Sequence, residues 1–139
     1  MILIDSNVLI DILDHDPHWF DWSFAQLERA ASLGKVIVNP MVVAEVAPQF
    51  GSLDAFLETL IAMVVGVEML DAQAAFIAGQ AFQTYRRARP ADMPKAIVAD
   101  FLIGGHAQAL GATILTRDPR FYRRYFPTVP LITPETDTE

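Results

Sequence analysis

The chain opens with MILIDSNVLI (Met1–Ile10), in which an unbroken apolar run meets a carboxylate at Asp5. Apolar residues without alternation are typical of a strand covered on both faces, as in the middle of a parallel sheet. Asp5 then lies at the carboxyl end of that strand, where open α/β sheets form their ligand crevices. It can equally cap the helix that follows, so both a capping and a functional role are open for Asp5.

The composition indicates one folded domain with a sizeable core. Of the 139 residues, 53% are hydrophobic and 19% are charged, which excludes a disordered chain. We assign residues 1–134 to a single domain and 135–139 to a polar tail. The absence of cysteine excludes disulfides and thiolate metal sites, and no apolar run is long enough to cross a membrane. The N-terminus lacks the features of a secretory signal, so we expect a cytoplasmic protein.

Helices and short apolar strands alternate along the whole chain. Besides the first strand, we expect strands at 35–38, 64–70, 112–116 and 129–132, the last at an edge, and a surface loop at 11–16. We expect helices at 19–33, 52–63, 72–88 and 96–110, and one that begins at Pro40 after the N-cap Asn39. This pattern predicts a three-layer α/β fold with a central parallel sheet flanked by helices. Gly104 and Gly105 inside a helix predict close packing there.

Three further acids stand out against apolar surroundings. Glu45 and Asp100 each interrupt an apolar helical turn, and Asp118 follows an apolar strand as Asp5 does. Exposure to solvent is the simple explanation for Glu45, because Glu is almost never buried unpaired. Alternatively, all four acids face one crevice, where their mutual repulsion would require cations. Carboxylate oxygens suit Mg²⁺ or Mn²⁺, which also bind phosphate.

The net charge of −7 argues, taken alone, against a nucleic-acid partner and for bound cations or a basic protein partner. Eight of the ten basic residues nevertheless fall in two segments near the predicted crevice, so the local potential can be positive. They are Arg86, Arg87, Arg89, Lys95, Arg117, Arg120, Arg123 and Arg124. The histidines have no partners at metal-ligand spacing: His15 and His18 flank Pro17 in a predicted loop, and we assign His106 to packing or surface.

Taken in order, these segments resemble the PIN domain family, and more narrowly the VapC-type toxins of bacterial toxin–antitoxin pairs. The resemblance rests on IDSNVLI at positions 4–10, Glu45 in an apolar helix, ADFLI at 99–103 and LTRDPRF at 115–121. It implies an endoribonuclease that depends on Mg²⁺ or Mn²⁺ and whose acidic quartet falls on Asp5, Glu45, Asp100 and Asp118. It also implies a homodimer and a cognate antitoxin that blocks the site. Gly104 and Gly105 depart from the family, which more often has Ala or Thr there.

On that basis we assign roles as hypotheses. Asp5, Asp100 and Asp118 ligate metal directly or through water. Glu45 completes the ligand set or acts on the attacking water as general base. Asn7 and Thr116 hydrogen-bond the carboxylates or the scissile phosphate. Arg117 and Arg120 contact RNA, although both also suit ordinary surface positions.

Three alternatives remain to be weighed. A haloacid-dehalogenase-like phosphatase requires a second Asp two residues after the first, and that position is Asn7. A phospho-acceptor domain requires a Lys at a strand end, whereas Lys95 lies in a proline-rich loop. A catalytically silent PIN-like domain that binds RNA or protein is the remaining alternative, and the presence of all four acids disfavours it.

Overall fold

A computed structural model describes residues 1–88 and 98–135. Its centre is a five-stranded parallel sheet in the order β3-β2-β1-β4-β5. The strands are β1 Ile2–Ile4, β2 Val36–Val38, β3 Gly66–Val67, β4 Thr113–Leu115 and β5 Leu131–Ile132. The helices are α1 Ser6–Leu13, α2 Phe20–Leu33, α3 Pro40–Val46, α4 Leu53–Met63, α5 Ala72–Ala88, α6 Val98–Leu110 and α7 Arg120–Tyr125, with a 3₁₀ turn at Ala47–Gln49. The predicted three-layer α/β fold is confirmed.

The strand β1 lies in the middle of the sheet, as its unbroken apolar run predicts. Leu3 and Ile4 are fully buried, which accounts for the lack of alternation. Ile2 is in register with Val36 of β2, and Ile4 is in register with Leu115 of β4. The residues that follow β1 and β4 therefore lie side by side at the carboxyl edge of the sheet.

Helix starts agree with the capping signals in the sequence. The Asn39 side chain accepts hydrogen bonds from the backbone N–H groups of Met41 and Val42 at 3.0 and 3.1 Å, and Pro40 is the first residue of α3. Ser52 and Asp71 cap α4 and α5 in the same way. Such caps satisfy backbone donors that have no partner within the helix.

Two local expectations are wrong. The segment 11–16 is not wholly a surface loop, because α1 continues to Leu13 and its Asp11 is only 1% exposed. The strand expected at 64–70 is reduced to Gly66–Val67, because Val64 adopts a left-handed conformation (φ 59°) that ends α4. A β-branched residue rarely takes this conformation, so it could not be expected from the residue type. The predicted residues 96 and 97 of α6, together with Arg89 and Lys95, lie outside the described residues.

The paired glycines of α6 allow the close packing that we expected. A Cβ atom on Gly105 would lie 2.7 Å from the Ala74 carbonyl oxygen and 2.8 Å from the Ala78 nitrogen, both in α5. A Cβ atom on Gly104 would collide with the ring of Phe126. His106 is 2% exposed, and Nδ1 of its ring accepts a hydrogen bond from the Asn39 amide at 3.2 Å, which confirms a packing role. No helix within residues 1–88 or 98–135 combines the length and the apolarity needed to span a membrane.

Candidate active site

Asp5 lies at the junction between β1 and α1. Its backbone is extended, and its Oδ1 accepts a hydrogen bond from the Ser6 N–H at 2.8 Å, so it is the N-cap of α1. Its side chain is also buried at the carboxyl edge of the sheet. The capping and functional roles that the sequence left open are therefore compatible, because capping uses only one of the two carboxylate oxygens.

The second oxygen of Asp5 is surrounded by hydrogen-bond donors. Oδ2 accepts from the hydroxyl of Thr116 at 2.9 Å and from the hydroxyl of Tyr122 at 3.0 Å, and the Asn7 amide lies at 3.5 Å. Sequence reasoning missed Tyr122. Its neighbours Phe121 and Tyr125 are also aromatic. Tyr122 differs from them because it is buried, and a buried hydroxyl needs a hydrogen-bond partner.

Hydrogen bonds tie the β1–α1 junction to the segment that follows β4. The Thr116 hydroxyl accepts from the Asn7 amide at 3.2 Å and from the backbone N–H of Asp118 at 3.1 Å. The side-chain Oδ1 of Asn7 accepts from the backbone N–H of Arg117 at 3.3 Å. Asn7 and Thr116 thus bond directly to each other and to Asp5, so the orientations of Asp5 and of the Asp118 segment depend on each other.

Glu45 and Asp100 come to this region from helices. Glu45 is half-buried near the end of α3, and its Oε1 atom is buried without a hydrogen-bond partner among the described residues. Asp100 is half-buried in the first turn of α6. A buried carboxylate oxygen without a donor is costly, so the Glu45 oxygen is an unsatisfied acceptor of the site.

The four acids are close enough to perturb one another. Burial is the largest cause that raises the pKa of Asp100 to about 7, and the charges of the other three acids add to it. Burial also raises the pKa of Glu45, reinforced by the charge of Asp5 and opposed by a hydrogen bond with Ser6. The pKa of Asp5 is raised mainly by burial, although its hydrogen bonds with Thr116 and Tyr122 act in the opposite direction. Ionisation of all four acids at once is therefore unfavourable.

These acids are near one another without forming a finished coordination shell. Within the described residues, no group of three or more His, Cys, Asp or Glu side chains is placed to hold a metal ion. The electrostatic couplings nevertheless join Asp5, Glu45, Asp100 and Asp118 in one region. Repulsion between charges extends further than metal–ligand distances do, so the four acids share one region without standing at ligand distances from one point.

The guanidinium of Arg117 is paired with Asp11, which is not one of the four acids. Its guanidinium makes two bonds to the buried carboxylate of Asp11, Nε to Oδ2 at 2.8 Å and Nη2 to Oδ1 at 3.0 Å. The same guanidinium lies 5.5 Å from the ring centre of Trp19, and the Ser23 hydroxyl donates to Asp11 Oδ2 at 2.9 Å. A two-point ion pair of this kind holds the segment that carries Asp118. Sequence reasoning missed it because Asp11 was assigned to a surface loop.

A basic cleft includes Asp118, one of the four acids. Its volume is about 660 Å³, and its lining includes Asp118, Arg120, Arg123, Arg124 and Glu135. Arg120 therefore lies next to one of the predicted acids, whereas Arg117 also lines the cleft but keeps its guanidinium on Asp11. His15, one of the two histidines expected in a loop, stacks on Phe20 with ring centres 4.5 Å apart, so its side chain has a packing role.

The family model described as the PIN domain matches residues 2–127 of the chain. Among solved structures, the chain is similar to VapBC2 from Rickettsia felis bound to a DNA fragment from its promoter, with 19% identity and a TM-score of 0.73, covering 96% of this chain and 98% of that one. VapBC-1 from nontypeable Haemophilus influenzae is similar at 17% identity and a TM-score of 0.71, with 96% and 98% covered.

A third similar structure is VapC20 from Mycobacterium tuberculosis, described as a toxin that cleaves the sarcin-ricin loop. It has 16% identity and a TM-score of 0.53, with 81% of this chain and 85% of that chain covered. No significant match is found among curated proteins.

Proposed function

The chain belongs to the PIN domain family, and from that premise we propose that it is a divalent-cation-dependent endoribonuclease and the toxin of a type II toxin–antitoxin pair. The observation that carries the proposal is the placement of the acids: Asp5 is buried at the carboxyl edge of the sheet, and Glu45 and Asp100 come to it from α3 and α6. Burial and the charges of the three neighbouring acids raise the pKa of Asp100 to about 7. A protein retains such repulsion at functional sites, where something else offsets it.

A divalent cation fits these residues. Asp5, Asp100 and Asp118 supply carboxylate oxygens, the donors that Mg²⁺ and Mn²⁺ prefer. The Glu45 Oε1 atom is buried and lacks a partner among the described residues, so it can accept a ligand or a water. We propose Mg²⁺ or Mn²⁺ as the cofactor, with Asp5, Asp100 and Asp118 as its ligands.

Held by Asp5, Asp100 and Asp118, such a cation would lower the pKa of a bound water and would stabilise the charge that develops on a phosphodiester. Asp5 is held for this task by Thr116 and Tyr122, which leave its carboxylate little rotational freedom. Burial and the charge of Asp5 raise the pKa of Glu45. Its carboxylate is therefore a stronger base than an exposed one and is suited to take a proton from the attacking water. Asn7 orients Thr116, so both act by holding Asp5 in place.

The partners follow from the same premise. Solved structures similar to this chain are toxin–antitoxin complexes, and one similar toxin is described as cleaving an RNA loop. We therefore propose RNA as the substrate, a cognate antitoxin as the inhibitor, a homodimer as the working assembly and the cytoplasm as its location. Co-purification with the product of a small neighbouring reading frame would test the antitoxin, and light scattering would test the dimer.

The nuclease assignment is tested by incubating the purified protein with mixed RNAs in the presence of Mn²⁺ or of a chelator. We expect cleavage with Mn²⁺ only, and we expect Asp5→Asn to abolish it. Glu58→Gln removes an exposed acid of α4 and should cut as the unmodified protein does. An Asp5→Asn protein that is folded by circular dichroism and equally active would refute the mechanism. RNA binding without cleavage would instead support the silent binding module.

A further inference from the structure

The helix α7 concentrates positive charge in an acidic chain. Arg120, Arg123 and Arg124 occupy three of its six positions, although the whole chain has a net charge of −7. All three are exposed, and all three line the cleft that begins at Asp118. The cleft thus joins a cationic surface to Asp118, one of the four acids of the candidate active site.

A carboxylate of the chain itself already occupies one of these arginines. Nη1 of Arg123 donates to Oε2 of Glu135 at 2.7 Å, across a sequence separation of 12 residues. The side chains of Arg123 and Glu135 are 48% and 64% exposed. Exposed ion pairs contribute little to stability because water and salt compete with them, so a stronger anion can displace Glu135.

Arg117 does not share this property, although it lines the same cleft. Its guanidinium is committed to Asp11 by two bonds, and that carboxylate is only 1% exposed. Replacing this partner would leave a buried charge unpaired, which is strongly unfavourable. The ion pair in this cleft that can exchange one anion for another is therefore that of Arg123 on α7.

We propose that this cleft binds the phosphate backbone of the RNA strand beside the scissile bond, and that Glu135 occupies Arg123 until RNA displaces it. The inference rests on the proposed nuclease function. Because Asp118 lines the cleft, a strand whose scissile phosphate lies among the acids can continue over α7 and its guanidinium groups. Guanidinium groups bind phosphate and carboxylate in the same manner, so Glu135 stands in for a phosphate and weakens RNA binding by competition.

The experiment measures binding separately from cleavage. A fluorescein-labelled single-stranded RNA is titrated with the full-length Asp5→Asn protein, which does not cut, at several salt concentrations. Adding Arg120→Gln, Arg123→Gln or Arg124→Gln should weaken binding about threefold to tenfold. Each lost phosphate contact should also reduce the slope of log Kd against log salt by about 0.7. Lys35→Gln removes an exposed cation beside the start of β2, away from the carboxyl edge, and should have a much smaller effect.

The competing carboxylate has a more specific signature. Glu135→Gln should tighten RNA binding about twofold to threefold, and should have no further effect once Arg123→Gln is present. The control is Glu68→Gln, which releases Lys35 from an exposed pair of 3.4 Å with the same change of net charge. Equal tightening by Glu68→Gln, or additive effects of Glu135→Gln and Arg123→Gln, would overturn the displacement of Glu135.

Two results separate this inference from the nuclease assignment. If the protein cuts RNA with Mn²⁺ but the three arginine variants bind RNA like their parent, the cleft proposal fails and the nuclease stands. If the arginine variants weaken binding but no RNA is cut, the cleft proposal stands alone. A labelled oligoglutamate that binds more tightly than RNA and depends on the same arginines would assign the cleft to an acidic protein instead.

Discussion

Arg117 binds α1 through both its side chain and its backbone. Its guanidinium pairs with Asp11, and its backbone N–H donates to the side-chain Oδ1 of Asn7 at 3.3 Å. Removing Asp11, the buried partner, should destabilise the folded protein. We expect Asp11→Ala to lower the free energy of unfolding by about 2 kcal/mol, less than for a fully buried pair because Arg117 is partly exposed. Urea unfolding measures this loss.

The exposed pair between Arg123 and Glu135 is the control for that measurement. Glu135→Ala removes the same type of partner but should cost less than about 1 kcal/mol. Similar losses for the two variants would contradict the structural role given to Asp11. A larger loss of RNA cleavage in Asp11→Ala than its stability explains would indicate that the pair also positions Asp118.

The pKa of Asp100 makes the stability of the cation-free protein depend on pH. It is about 7 in the folded chain against a usual value of 3.8. Between these values the folded state holds a proton that the unfolded state lacks, so stability falls as pH rises. We expect the loss attributable to Asp100 to be about 1–2 kcal/mol, since its side chain is partly accessible to water.

Unfolding in chelator over this pH range, compared with Asp100→Asn, isolates the contribution of Asp100. The advantage of the Asn variant over the unmodified protein should grow as pH rises and level off above about pH 7. An advantage that stays constant with pH would mean that Asp100 titrates normally.

Adding a divalent cation should stabilise the folded protein, because ligands that bind only the folded state raise its stability. At a concentration one hundred times Kd the gain is about 2.7 kcal/mol. We expect Mn²⁺ to raise the Tm relative to chelator, and Asp5→Asn to lose most of that rise. Glu58→Gln should keep it. A rise that survives in Asp5→Asn would place the cation elsewhere.

Replacing glycine by alanine should have opposite effects on stability at Gly105, which packs against α5, and at Gly79, which has open space around it. Gly105→Ala should destabilise by about 1–3 kcal/mol, because its Cβ would meet the backbone of Ala74 and Ala78. Gly79→Ala, in α5 with open space around it, should stabilise by up to about 1 kcal/mol. Thermal unfolding of the two variants tests this, and a stabilised Gly105→Ala protein would show that the helices separate easily.

Much of the fold could be predicted because its signals are local. An apolar run followed by an acid marks the end of β1, and Asn39 before Pro40 marks the start of α3. The central position of β1 also follows from its lack of alternation. Val64 could not be predicted, because its left-handed conformation arises where α4 turns towards β3 and runs against its own preference.

The candidate site could be predicted only in part. The four acids are conspicuous in apolar surroundings, and the electrostatic couplings place them in one region. The contacts of Tyr122 and Asp11 depend on long-range packing: Tyr122 reaches Asp5 across 117 positions, and Arg117 reaches Asp11 across 106. No local pattern separates Tyr122 from the aromatic residues beside it, so its role became visible only in three dimensions.

The central position of the first strand also has a consequence for protein synthesis. The ribosome makes β1 before β4, which is one of its two neighbours in the sheet. The carboxylate of Asp5 accepts a hydrogen bond from the hydroxyl of Thr116, which is made 111 residues later. A nascent or prematurely terminated chain that lacks Thr116 therefore cannot form this hydrogen bond. The candidate site therefore forms only once the segment that follows β4 has been made.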